Sequence, residues 1–327
     1  MTLLLCADLH LTSKPRDEDR WKLFPWLCQQ MREKRIDDIA ILGDLTDAKD
    51  RHDSILVNRL VANLKTLAKV GRVFILRGNH DFIDEQHPFF RFLHRPPDIN
   101  YINTPTLHFF HDFSALFIPC TRDGELFKRQ AQETKQPEYI LTHQTYDGCL
   151  SENGTKLNGI PPSVFKDYPG RVWSGDIHTP QKVGKKIEYV GAPYPIKFGD
   201  LYKPRCVLLS ATGSEDLHFP FQQKLLVEIG SGEMLPLLPE GAQIKLRVHL
   251  RRRDLADWRS LRAGLQEQAL AAKLDLVSIE PAWTPERAVR ASEEVLQTQS
   301  KVEIVKDYAQ RKKLDKALTA YGVSLLS

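Results

Sequence analysis

DDIAILGDLTD, residues Asp37 to Asp47, sets a short apolar run directly against a glycine and two acidic residues. A run this short, closed by a turn residue, reads as a buried strand rather than a helix, and the carboxylates then sit at the strand's end. The same pattern recurs along the chain. TLLLCA runs into Asp8-Leu9-His10, RVFIL into Arg77-Gly78-Asn79-His80-Asp81, EYIL into Thr142-His143, and VWS into Gly175-Asp176-Ile177-His178. Between the runs lie amphipathic stretches. Asp53 to Lys69 places Ile55, Leu56, Leu60, Leu64 and Leu67 on one side, predicting a helix that joins the second strand to the third. Short links between the runs from Tyr101 to Pro119 predict hairpin strands. The alternation predicts a layered α/β fold.

In open α/β sheets ligands bind beyond the carboxyl ends of the strands, so these polar ends are expected to converge on one crevice. Two divalent ions a few ångströms apart need a carboxylate able to bridge them, flanked by oxygen and imidazole donors. Asp44 is a plausible bridge. Asn79 offers a neutral oxygen, and His143 and His178 offer imidazoles. Asp8 and His10 can turn into one site if the backbone leaves extended geometry there.

The formal charge of +4 on 327 residues does not by itself argue for a nucleic-acid partner, which would need basic residues gathered on one face. The five scattered cysteines form no CxxC pair, which argues against a disulfide framework and a thiolate zinc site and predicts a reducing, cytoplasmic setting. Thr2 to Ala7 is too short for a signal peptide or membrane span, so neither export nor a membrane anchor is expected. Turn residues cluster between Phe219 and Gly241, predicting domains of residues 1–222 and 223–327. The second, smaller one is α+β. Strict alternation in Gln243 to Leu250 reads as a half-buried strand, Asp254 to Ala272 as a helix with Asp254 as N-cap, LDLVSIE as a further strand, and residues 300–321 as a last helix ending at Gly322.

DLH, GDLTD, GNHD, TH and GDIH, in that order, resemble the signature blocks of the calcineurin-like metallophosphoesterases. VWSGDIHT and YVGAPYPIKFGDLYKPR make the likeness strongest to SbcD-type DNA repair nucleases, including the short bacteriophage recombination subunits. The resemblance implies a metallophosphoesterase β-sandwich flanked by helices, with residues 223–327 as a capping domain. It implies one ion held by Asp8, His10, Asp44 and His178, and another by Asp44, Asn79, His143 and the residue at 176. Mn²⁺ is expected first and Mg²⁺ second. It also gives His80 the role of touching the phosphate and protonating the leaving oxygen, with Asp47 orienting it.

At position 176 the chain departs from the family, which normally has His there. Asp176 reads either as a harder ligand favouring Mn²⁺ or Mg²⁺ over zinc, as the mark of a weakened second site, or as a turn residue. His52 reads as a helix-start residue and Asp81 as a turn contact. Arg251, Arg252 and Arg253, with Arg259 and Arg262 on the following helix, are candidate DNA contacts. The resemblance implies that Tyr194, Lys197, Phe198 and Lys203, in the loop after the last block, line the groove. Trp258 and Trp283 read as core or interface residues. The resemblance further implies an SbcC-type coiled-coil ATPase partner and pairing of two nucleases, the last helix being a docking candidate. The expected function is a two-metal DNA nuclease with double-strand exonuclease and single-strand endonuclease activity. The rivals are a phosphoesterase of small molecules and a non-catalytic or ATPase-dependent DNA-binding subunit.

Overall fold

The computed structural model describes residues 2–94, 98–133, 137–283, 301–311, 315, 318–320 and 323. Strand β1 (Thr2–Cys6) is followed by a 3-10 segment, Pro15–Lys22, and by helix α1 (Leu23–Lys34). Then come β2 (Asp38–Leu42), α2 (Ser54–Ala68) and β3 (Arg72–Leu76). Helix α2 begins where its cap allows, with the Asp53 carboxylate accepting the Leu56 N–H at 2.8 Å. Leu56, Leu60, Leu64 and Leu67 are buried, but Ile55 is 72% exposed. The buried stripe runs through i, i+4, i+8 and i+11 from Leu56, which puts Ile55 off its edge.

Strands β4 (Ile99–Ile102), β5 (Thr106–Phe109) and β6 (Ser114–Ile118) precede α3 (Gly124–Glu133) and β7 (Tyr139–His143). After β8 (Arg171–Gly175) come β9 (Gln181–Val183), β10 (Ile187–Tyr189), β11 (Cys206–Ser210) and β12 (Gly213–Leu217). They form two six-stranded sheets, β12-β11-β1-β2-β3-β4 and β5-β6-β7-β8-β10-β9. The expected hairpin holds for β5 and β6, whereas β4 runs parallel to β3 in the other sheet.

The period of two in each strand sorts the side chains into layers. Leu3, Leu5, Ala40, Leu42, Phe74 and Leu76 face the second sheet and meet Phe117, Leu141 and Trp173. Leu4, Ile39, Ile41, Val73 and Ile75 point the other way, onto Leu27, Met31, Leu60 and Leu64 of α1 and α2. Ile118, Ile140 and Val172 pack outward on Phe127 and Phe165. The result is a mixed α/β sandwich covered by helices, as expected.

Strands β13 (Lys224–Gly230), β14 (Gln243–Leu250) and β15 (Asp275–Trp283) make a separate parallel sheet, with α4 (Trp258–Ala271) between the last two. Ile244, Leu246, Val248 and Leu250 are buried as the alternation requires, against Leu265 and Ala269 of α4. Helix α4 starts later than expected. Asp254 instead accepts the Arg251 N–H at 2.9 Å and closes the short turn Arg252–Leu255. The last described helix is α5 (Lys301–Arg311); Gly322, its expected cap, lies outside the described residues. Among the described residues no helix is long and apolar enough to cross a membrane.

The small sheet is tied to the loop after β1 through a buried charge cluster. Asp17 pairs with Lys224 at 2.8 Å and Arg20 at 3.1 Å, and accepts Thr12 Oγ1 at 2.8 Å. Burial alone would raise the Asp17 carboxyl, but Arg20 and Lys224 outweigh it and hold the group below its ordinary 3.8. Asp17→Ala strands two buried cations, so unfolding in urea at neutral pH should show a loss of about 3 kcal/mol. Because the folded pKa is depressed, that advantage is complete above the unfolded value and disappears as pH falls through the folded one. The gap between wild type and variant should therefore close in acid.

Candidate metal centre

The C-terminal ends of β1, β2, β3, β7 and β8 meet at one place, each delivering its polar block. The backbone there is not extended. Asp8 has φ 55°, His10 φ 41°, Asp44 φ 55° and Asp176 φ 86°, left-handed values that residues other than glycine seldom adopt. Past the end of β1 it is these turns, not the strand's pleat, that bring Asp8 and His10 to one place. Backbone bonds hold the strained turns, with His10 N on Asp44 O at 3.0 Å and Leu11 N on Leu45 O at 3.0 Å.

Oxygen or nitrogen atoms of Asp8, His10 and Asp44 lie within 4.8 Å of one another, as do those of His10, Asp47 and His80. His10 Nε2 is 3.4 Å from Asp44 Oδ2, and His143 Nε2 is 3.3 Å from Asp44 Oδ1. Asp44 therefore stands between the two imidazoles, as a bridge would. His178 Nε2 faces His10 Nε2 at 3.0 Å. Asp8 Oδ2, Asn79 Oδ1 and His143 Nε2 are buried without a hydrogen-bond partner. Buried polar atoms are normally satisfied, so converging orphans of this kind fit ligands for a cation.

The charges point the same way. Burial pushes the Asp8 carboxyl up. Asp44, despite burial, is held well below its ordinary value by His143, and His143 is raised well above its own by Asp44 although burial opposes it. Packed carboxylates that need a neighbouring histidine to stay protonated for balance are an environment a divalent cation neutralises.

Asp81 is the turn contact expected of it. Its carboxylate accepts the N–H groups of Gly78 at 2.6 Å, Asp44 at 3.1 Å and Leu45 at 3.2 Å, so one fully buried side chain sets the two loops that carry Asp44 and Asn79. Burial and the neighbouring Asp44 push it up to about 6. His80 is half-buried, its Nδ1 on the Asp47 main-chain oxygen at 2.7 Å. The expected orientation by the Asp47 carboxylate is thus corrected to orientation by its carbonyl. That carboxylate instead lies 3.7 Å from His10 Nδ1, and His10 holds it down to about 2.

Asp176 lies in the cluster, 3.8 Å from His143 Nε2. Its Oδ1 accepts Asn79 Nδ2 at 2.7 Å and its Oδ2 accepts the Thr145 hydroxyl, while its own N–H donates to Asp8 Oδ1 at 2.9 Å. It thereby fixes the Asn79 amide with Oδ1 left unbonded.

The sequence profile of the calcineurin-like phosphoesterases matches residues 1–180, just over half the chain. The chain belongs to this family. It is a metal-dependent phosphoesterase. The phosphoesterase is 24% identical over 220 residues to the protein designated phosphoesterase 244L of Invertebrate iridescent virus 6, covering 62% of this chain and 74% of the viral one. It is 24% identical over 177 residues to phosphoesterase 078R of Invertebrate iridescent virus 3, covering 50% of this chain but only 49% of that relative. Among solved structures, an archaeal phosphodiesterase (9% identity, TM-score 0.37, 66% of this chain and 99% of the other) and a dimetal phosphatase from Danio rerio (13%, 0.32, 66% and 98%) are similar. At such TM-scores the likeness says nothing of activity.

Residues expected to line the groove divide. Lys197 and Phe198 face a cavity described below, whereas Tyr194 is buried with its hydroxyl on Leu9 O at 2.6 Å, bracing the Asp8-Leu9-His10 turn. Its ring was the only part legible in sequence; the partner is a main-chain oxygen. Lys203 is exposed and does not line that cavity. Arg251 is partly engaged, Nε 3.4 Å from Asp254. The side chains of Arg252 and Arg253 lie outside the described residues, and Arg259 and Arg262 are exposed. Trp258 packs on the small sheet's core as expected, but Trp283 is 57% exposed. His52 stacks on Phe89 at 4.0 Å and holds Thr46 Oγ1 at 2.7 Å, a packing role. Sequence reasoning missed Thr145, Arg20 and Glu152, none of which belongs to a block.

A Cβ at Gly43, where φ is +83°, would stand 2.2 Å from His143 Nδ1. Gly43→Ala should displace His143, so calorimetric titration should show metal affinity falling by at least tenfold and urea unfolding a loss of about 2 kcal/mol.

Proposed function

We propose that this phosphoesterase is a nuclease of the SbcD type, hydrolysing DNA phosphodiesters with two divalent ions. The observation that carries the reading is a basic cavity of about 290 Å³ next to the metal centre. Its walls are Thr12, Lys14, Arg16, Asp17, Arg20, Asp47, Ile196, Lys197, Phe198, Lys224 and Lys245, with Asp47 common to both sites. Arg20 and Lys224 are committed to Asp17, Arg16 stands 4.0 Å from it and Lys197 3.7 Å from Glu152, yet the cations in the walls outnumber Asp17 and Asp47 and leave an excess of positive charge beside the place where a phosphodiester is cut. A strand with a phosphate on every nucleotide uses such a surface, and a small monoester does not.

Asp8, His10, Asp44 and His178 would hold one ion, and Asp44, Asn79, His143 and Asp176 the other. Carboxylate, amide and imidazole donors without thiolate suit Mn²⁺ or Mg²⁺. Such ions supply charge neutralisation at the phosphate and activation of water. The chain's own groups do the rest. His80 donates from Nδ1 to the Asp47 carbonyl, which can only accept, so Nε2 is the nitrogen turned to substrate. In the imidazolium form it hands a proton to the leaving oxygen. Asp176 keeps a second lone pair on each oxygen, so ligation is compatible with its bonds to Asn79 and Thr145. Residues 223–327 would act as a capping domain carrying Lys245 to the strand, in a cytoplasmic protein. An SbcC-type ATPase and pairing of two copies belong to the same proposal, with the 58% exposed Tyr308 of α5 as docking surface.

Cleavage of end-labelled single- and double-stranded DNA by the purified chain should require Mn²⁺ or Mg²⁺, stop with chelator, and fall by at least about 100-fold in His80→Ala. Hydrolysis of a chromogenic phosphodiester without DNA cleavage would instead favour a small-molecule substrate. Asp176→His should retain activity and shift preference toward zinc; a folded, metal-replete but inactive variant would count against Asp176 as a ligand.

A further inference from the structure

Outside the strand-end blocks, one carboxylate reaches the cluster from a loop that carries no signature. Glu152 belongs to the segment between β7 and β8. Its Oε1 lies 2.6 Å from His178 Nδ1, and its side chain is only 24% exposed. We infer that Glu152 is the positioning residue for His178, fixing the imidazole's tautomer and direction so that Nε2 is presented to the ion. This rests on the metal-centre reading given above.

The 2.6 Å contact is a bent ion pair rather than a well-aligned hydrogen bond, yet two bare lone pairs at that distance would repel, so a proton lies between the imidazole nitrogen and the carboxylate oxygen. The carboxylate is the acceptor, so Nδ1 carries the hydrogen and Nε2 is left bare. Nε2 is the atom that faces His10 Nε2 at 3.0 Å. The Asp47 carboxylate stands more loosely behind His10, 3.7 Å from its Nδ1 and beyond hydrogen-bond length. The two imidazoles thus face each other nitrogen to nitrogen, each with a carboxylate behind it. That arrangement makes both better donors to a shared cation.

The loop is built to hold Glu152 in place. Leu150 N donates to Gln181 Oε1 at 2.8 Å, and Gln181 Nε2 returns a bond to Leu150 O at 2.7 Å. These bonds staple the loop to the start of β9, three residues beyond His178. Gly154, at φ 79°, closes the turn, with Ser151 Oγ on Thr155 O at 3.1 Å and Leu150 bridged to Lys156. Glu152 Oε2 is 3.7 Å from Lys197 Nζ, but Lys197 is 65% exposed, and an ion pair so open to solvent does not explain why the other oxygen points inward at His178.

The test is calorimetric titration of the metal-free full chain with Mn²⁺, comparing wild type with Glu152→Ala and Glu152→Gln, beside urea unfolding of each protein in chelator. Glu152→Ala should bind the ion held by His178 about 10- to 100-fold more weakly, with metal-free stability close to wild type. Glu152→Gln keeps an acceptor but loses the charge, and should fall between the two. Wild-type affinity in Glu152→Ala would overturn the inference. So would a loss of metal-free stability large enough to account for the weaker binding, since Glu152 would then be holding the fold rather than the ligand. If the wild-type chain itself took up no Mn²⁺, the metal-centre reading would fail first and the inference with it.

Discussion

The hydrogen bond from His143 Nδ1 to the Leu42 carbonyl, 2.7 Å long, joins the end of β7 in one sheet to the end of β2 in the other, and the site is arranged around it. A carbonyl only accepts, so the bond leaves Nε2 of His143 as the nitrogen facing Asp44. Two sheets packed face to face ordinarily stand about 10 Å apart. Here they close at one end because glycines flank the bond. A Cβ on Gly175 would meet Leu42 O at 2.2 Å, and one on Gly43 would meet His143 Nδ1 at 2.2 Å.

That closure concentrates like charge. Asp8, Asp44 and Asp81 are buried within one small volume, with Asp176 at its edge. Three of the residues placed there sit at positive φ, a conformation that costs free energy unless the surroundings impose it. Asp81 contributes to imposing it by collecting three backbone N–H groups from two loops. The metal centre is therefore a strained arrangement held by main-chain hydrogen bonds, and a cation relieves its electrostatic cost.

The small parallel sheet reaches the same region by a different route. Lys224, at the start of β13, enters the Asp17 cluster, and Gln243 Nε2 donates to Arg16 O at 3.0 Å. Lys245 follows on β14, its ammonium 5.0 Å from the Phe198 ring centroid. The strand's alternation puts Ile244 and Leu246 into the small sheet's core and Lys245 on the opposite face, toward the loop that follows His178. One periodicity thus packs the sheet and adds a positive wall to the cavity.

Local pattern alone determined much. Apolar runs ending in polar residues located β1, β2, β3, β7 and β8, because a strand's burial and its end are encoded within a few residues. The blocks at those ends named Asp8, His10, Asp44, Asn79, His143, Asp176 and His178, which the structure does bring together. The helical spacing after Asp53 and the alternation of β14 were equally legible, whereas the cap at Asp53 was seen only in the structure. What tertiary structure decided are the partners that no spacing encodes. Asp47 serves His80 through its carbonyl, a group every residue possesses and no sequence pattern marks. Glu152, from an ordinary loop, reaches His178 only because Gln181 anchors that loop. The basic cavity draws Lys14, Lys197 and Lys245 from three distant segments. The strand ends were readable because their order along the chain is local; the contacts among them depend on how two sheets and a third approach in space, and long-range geometry leaves no period in a single sequence.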